Sequence, residues 1–153
     1  MGIPISSAGV TVGYAVETTA GTKPVTGFIK IPDIKKVPNL NPSPSSLDTT
    51  ILSETEYKTA INGLKDLGGA LEFTANLTEE LMAAWDTIMT TYTGLTAGKQ
   101  MWIEIKHPKL AKSVFFKGEP TPIGSPEYSI DGVSEISLYI APVSAPKWET
   151  KST

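Results

Sequence analysis

The stretch GLKDLGGALEFTANLTEE, residues 63–80, passes without interruption from a glycine turn to a strand to a helix cap. Gly68 and Gly69 suit a tight turn, because glycine reaches positive φ at little steric cost. A phosphate loop would need a lysine and a hydroxyl after the glycines and a helix behind them. Here a strand follows instead. Leu71, Phe73 and Ala75 alternate with Glu72 and Thr74, so one face of that strand is apolar. Asn76, Leu77 and Thr78 supply a cap, and Glu79 and Glu80 suit the positive end of a helix dipole. Leu77, Leu81, Trp85, Ile88 and Tyr92 then recur at helical spacing on one face, and Gly94 is placed to stop the run. The pattern predicts a helix over about 78–92, the one long helical pattern in the chain.

On the amino-terminal side, VTVGYAVE predicts a half-buried strand with Val10, Val12, Tyr14 and Val16 on one side and Thr11, Gly13, Ala15 and Glu17 on the other. TTAGTKP is turn material, and Gly27 to Ile31 begins a second extended segment. Residues 1–9 read as a loose arm. Pro32, Pro38, Pro42 and Pro44 exclude a helix and disfavour a central strand. Residues 32–62 are therefore expected to form a long loop region, its proline-rich part an edge or a stiff extended loop, with enough Thr, Ile and Leu near its end to permit short strands. On the carboxy-terminal side, MWIEIK, SVFFKG and VSEISLYIA read as strands, separated by turns at Pro120, Pro122, Gly124 and Pro126. Ile136, Leu138 and Ile140 form the apolar side of the last strand. Residues 142–153 read as an arm around Trp148. These elements predict one domain over 1–153, mainly β (α+β): a β-sandwich or open barrel with one flanking helix.

Composition narrows the function. The chain has 153 residues, no cysteine and a net charge of −3, and every basic residue is lysine. Without arginine forks, sequence-specific reading of nucleic acid is disfavoured. No apolar run approaches the ~20 residues of a membrane span, and no membrane partner is expected. The loose myristoylation pattern at Gly2 and Ser6 and the sequon at Asn76 read better as an arm and a helix cap. His107 is the single histidine, in a lysine-rich loop without companions for a metal. No nucleophile elbow supports a triad drawn from Ser113, His107 and Asp131. Glu72 and Glu104 are the carboxylates an enzyme reading would have to use. The expectation is no catalytic residue, no metal and no cofactor. Charge is segregated along the chain: eight acids and two lysines from Asp48 to Asp86, five lysines and one acid from Lys99 to Lys117. Opposite patches of this kind can bring copies together head to tail.

ISSAGVTVGYAVETTAGTKPVTGFIKIPDIKKVPNLNPSPSSLDTTILSE, followed by GLKDLGGALEFTANLTEELMAAWD, resembles the major tail (tail tube) proteins of long noncontractile-tailed bacteriophages, the siphophages of Gram-positive hosts. The likeness runs in order over nearly the whole chain. It implies a fold like that of the type VI secretion tube protein, hexameric rings stacked into a tube, and no enzymatic activity. It also implies a place in the virion tail after assembly in the host bacterial cytoplasm. Implied partners are further copies, a tape-measure protein, a tail terminator and baseplate proteins. The resemblance further implies that DNA crosses the lumen without specific binding. A conduit should not grip DNA, since a lysine-dense lining would hold phosphates. Glu72, Glu104, Asp131 and Glu135 are therefore expected to line the lumen. Asp33, Lys35, Lys36, Asp48, Glu54 and Glu56 are expected in a ring-stacking loop, and Ile3, Ile5 and Trp148 in inter-subunit arms. The rival reading is a monomeric β-sandwich module of a baseplate or host-binding device, with Trp102 and Tyr139 on an aromatic surface.

Overall fold

A computed structural model describes residues 2–41, 43–49, 60–66, 69–96 and 98–152, with 43–48 and 60–66 as backbone. In chain order the elements are β1 (Thr11–Val16), β2 (Ile29–Lys30), β3 (Ile34–Lys36), β4 (Ser43–Asp48), β5 (Ala60–Asp66) and β6 (Leu71–Asn76). They continue with α1 (Glu79–Thr93), β7 (Met101–Lys106), β8 (Lys112–Pro120), β9 (Glu135–Pro142) and β10 (Lys147–Thr150). An antiparallel path runs β2-β1-β7-β8-β9-β6-β3, with β10 added beside β8.

β8 joins two sheets. Its residues from Val114 to Lys117 pair with β7, its first half pairs with β10, and its last three residues pair with β9. The first sheet is thus β2-β1-β7-β8-β10 and the second is β8-β9-β6-β3. Gly118 stands where β8 changes partners. A Cβ there would lie 2.6 Å from Ile140 Cγ2 and 3.3 Å from Ile103 Cγ1, so only glycine lets the sheets close this tightly.

The core fills the space between the sheets. The alternating residues of the opening stretch, Leu71, Phe73 and Ala75, are buried there with Ile136, Leu138 and Ile140 opposite them on β9. β1 and β7 add Val12, Tyr14, Met101 and Ile103. Leu81, Trp85 and Ile88 of α1 complete the core, and Trp85 Nε1 donates to the Thr121 carbonyl at 3.0 Å. The helix begins as its sequence requires, with the Thr78 hydroxyl accepting from the Leu81 N–H at 3.1 Å. It ends at Gly94, whose φ of −85° stays right-handed; the stop is made without a left-handed cap. Gly69 has the positive φ expected of the turn before β6, whereas Gly68 lies outside the described residues.

The described part of 32–62 holds an edge strand and two further short strands. β3 pairs with β6, and β4 pairs with β5 as a separate two-stranded hairpin. Pro44 is accommodated because the β4 pairing shifts register between Pro44 and Ser46, an irregularity at which a missing N–H does little harm. The 142–153 arm is in part a strand. Its residues Lys147–Thr150 form β10 on the edge that β8 would otherwise leave bare.

Candidate assembly surfaces

The two sheets present their outer faces differently. On the second sheet, Glu72, Thr74 and Asn76 of β6 stand opposite Tyr139, Ser137 and Glu135 of β9, and all point away from the core. Glu72 accepts the Tyr139 hydroxyl at 2.9 Å, and that bond and the carboxylate's charge push the Tyr139 phenol upward. Glu135 pairs with Lys35, which reaches it from β3. Asp131 is exposed on the 121–134 connection. Three of the four expected lining acids thus sit on this sheet's outer side or on the loop leading into it.

Glu104 does not join them. It is 2% exposed and accepts the Ser152 N–H at 3.1 Å and the Ser152 hydroxyl at 2.6 Å, with Lys106 Nζ 3.9 Å away. The outer face of the first sheet is covered by residues that arrive from both ends of the chain. Lys23 lies 3.8 Å from the centroid of the Phe115 ring and pairs with Glu149 of β10 at 2.7 Å. Phe28 meets Phe115 edge-on with ring centres 5.7 Å apart.

Glu17 was not singled out by its sequence, because it occupies the polar side of an alternating strand. It is 2% exposed and accepts from Gln100 N at 2.9 Å, Trp102 Nε1 at 3.0 Å and Gly21 N at 3.2 Å. Burial works against its charge. The bonds from Trp102, Gly21 and Gln100, with the Lys117 ammonium, outweigh that and hold the carboxyl below the usual carboxylate range. The one local signal was the glycine turn four residues later, which supplies the Gly21 donor. Trp102 is thereby committed to Glu17, and Tyr139 lies on the other sheet, so the two aromatics do not share a surface.

The expected stacking residues divide. Asp33 has a φ of 60°, unusual for a residue other than glycine, and its carboxylate accepts the Thr78 hydroxyl at 2.6 Å. Its carbonyl accepts Asn76 N at 3.0 Å, so Asp33 ties β3 to the helix cap. Lys35 is held by Glu135, while Lys36 is exposed. Asp48 belongs to the β4–β5 hairpin, and Glu54 and Glu56 lie outside the described residues.

At the amino terminus Ile3 is 88% exposed and Ile5 is also exposed. The arm is fastened behind them. Lys109 N donates to His107 Nδ1 at 3.1 Å, leaving Nε2 to donate to the Ser6 carbonyl at 2.6 Å. Gly9 packs against Pro108 with a positive φ. Trp148, 58% exposed, projects from β10 over an apolar groove.

Among the described residues no three acidic or histidine side chains gather as metal ligands, and no helix is long and apolar enough to cross a membrane. No known protein-family model and no curated protein sequence matches the chain. Solved structures do match it in fold. A chain of the anti-feeding prophage baseplate, a sixfold-symmetrised assembly, aligns over 98% of both chains with a TM-score of 0.67 and 10% identity. A chain from the tail of an empty GTA particle with C6 symmetry aligns over 96% of this chain and 100% of its own, with a TM-score of 0.61 and 12% identity. The SPP1 tail tube aligns over 98% of this chain and 81% of its own, with a TM-score of 0.55 and 14% identity. The protein thus has the tail-tube-like fold, a mainly β half-barrel with one helix, which these tube and baseplate chains share.

Proposed function

We propose that this chain is the tail tube subunit of a long noncontractile-tailed phage, assembling as hexameric rings that stack into the conduit for the genome. The observation that carries the reading is the extent of the match: a whole-chain likeness to tail chains, two of them from assemblies of sixfold symmetry. β2 and β3 end the strand path, each with a single neighbour on it, and neighbouring copies would complete such edges. In this reading the outer face of the second sheet, with Glu72 and Glu135, lines the lumen. The β4–β5 hairpin reaches toward the next ring, and the Ile3–Ile5 arm contacts a neighbour. The tube would assemble on a tape-measure protein in the host cytoplasm, between a baseplate and a terminator, and end up in the virion.

Electron microscopy and sedimentation of the purified protein over a concentration series test this. Rings of six, or tubes built from them, are expected. A protein that stays monomeric throughout the series contradicts the reading. The baseplate match, complete over both chains, favours a second placement, as a ring at the tube's end. Single rings that never stack would select it.

A further inference from the structure

The connection between β8 and β9, residues 121–134, carries the most exposed apolar side chains in the body of the described structure. Ile130 is fully exposed, and Tyr128 and Val133 are largely so. An apolar patch of this kind, with no other described residue on it, marks a contact surface. It is also acidic: Glu127 and Asp131 flank the apolar residues, and no lysine occurs from 118 to 146.

A matching surface lies elsewhere on the molecule. Val37, Pro38, Leu40, Ile105, Val114 and Trp148 line an open groove of about 440 Å³. At Val37 it continues into a second depression lined by Lys35 and Lys36. Lys35 is occupied by Glu135, which leaves the exposed Lys36 at the join. The loop is apolar with acidic flanks; the groove is apolar with a basic end. Contacts that close a ring are heterologous, so one chain must carry two different, complementary surfaces. We infer that the 127–133 loop of one copy seats in the Val37–Trp148 groove of the next, with Ile130 on the apolar floor and Asp131 facing Lys36. This rests on the self-assembly reading and names the pair of surfaces that performs it.

The absence of native cysteine makes the test direct. Full-length protein carrying Ile130→Cys is mixed with protein carrying Asn41→Cys at the groove rim and gently oxidised. Thr87→Cys on the exposed side of α1 replaces Asn41→Cys as the control. A disulfide-linked dimer is expected at least about tenfold faster with Asn41→Cys. Adding Asp131→Lys to the first protein should slow that reaction by about tenfold, and Lys36→Asp in the second should restore it, because paired rim charges govern encounter. Equal rates with both acceptors, or no response to the charge exchange, overturn the inference. If rings are still seen in that sample, the assembly reading survives it. If no rings are seen and no cross-link forms, both fall.

Discussion

Glu72 and Glu104 occupy equivalent places in their strands. Each stands between two inward-facing apolar residues of its strand: Leu71 and Phe73 in β6, Ile103 and the partly buried Ile105 in β7. Their surroundings are opposite. Glu72 is exposed on the second sheet and, among the described residues, answers to Tyr139. Glu104 is sealed beneath the C-terminal segment and holds Ser152 by two hydrogen bonds. The first sheet has spent its outer face on packing against its own chain, and the second has kept that face open. Among the described residues, the polar strand face left open therefore belongs to the second sheet.

The sharpest way to break this contrast is at the buried carboxylates. Glu17→Ala strands three donors in a closed site and should cost about 3 kcal/mol, given ~1–3 kcal/mol for each buried group left unpaired. Urea unfolding measures it. The same group has a pH signature. Its folded carboxyl titrates lower than the unfolded one, so its stabilisation is complete above the unfolded value near ~4.3 and disappears as pH falls through the lower folded value. Unfolding curves of wild type and Glu17→Gln should therefore converge in acid. A constant gap between them down to the lowest pH would remove the charged role assigned to Glu17.

Gly118→Ala tests the junction between the two faces. Its new methyl must displace Ile140, and overpacking of this sort costs about 2 kcal/mol. Glu104→Ala should cost about 1–2 kcal/mol through the two lost bonds to Ser152. Hydrogen exchange should rise in β10 before it rises elsewhere. The smallest effect belongs to the open face: Glu72→Ala should change stability by under about 0.5 kcal/mol, as exposed substitutions do. A loss equal to that of Glu104→Ala would erase the distinction between the faces.

Much of the architecture was legible in the chain. The residues of α1 announce their buried side and their cap, and Leu71, Phe73, Ala75, Ile136, Leu138 and Ile140 declare theirs by simple alternation. The strand read from SVFFKG is β8, but alternation gives it no apolar side, because both its sides are buried. Phe115 and Phe116 are adjacent and both inaccessible, one against Phe28 and Lys23, the other in the main core. In the proline-rich region no pattern marks the register shift beside Pro44, which lies in a strand whose only described neighbour is β5. The 121–134 connection looked like turn material because proline and glycine dominate its first half; its exposed Tyr128, Ile130 and Val133 have no periodicity to mark them.

By itself the chain of residues determined which side of β1, β6, β7 and β9 is apolar, where α1 begins and ends, and that its elements form a mainly β domain. Period-two and period-3.6 patterns act over a few residues and report the nearest layer. Only the tertiary structure decided which polar side stays open. Ser152 lies 48 residues from Glu104, and Trp102 lies 85 from Glu17. No local pattern encodes a cover that arrives from so far along the chain.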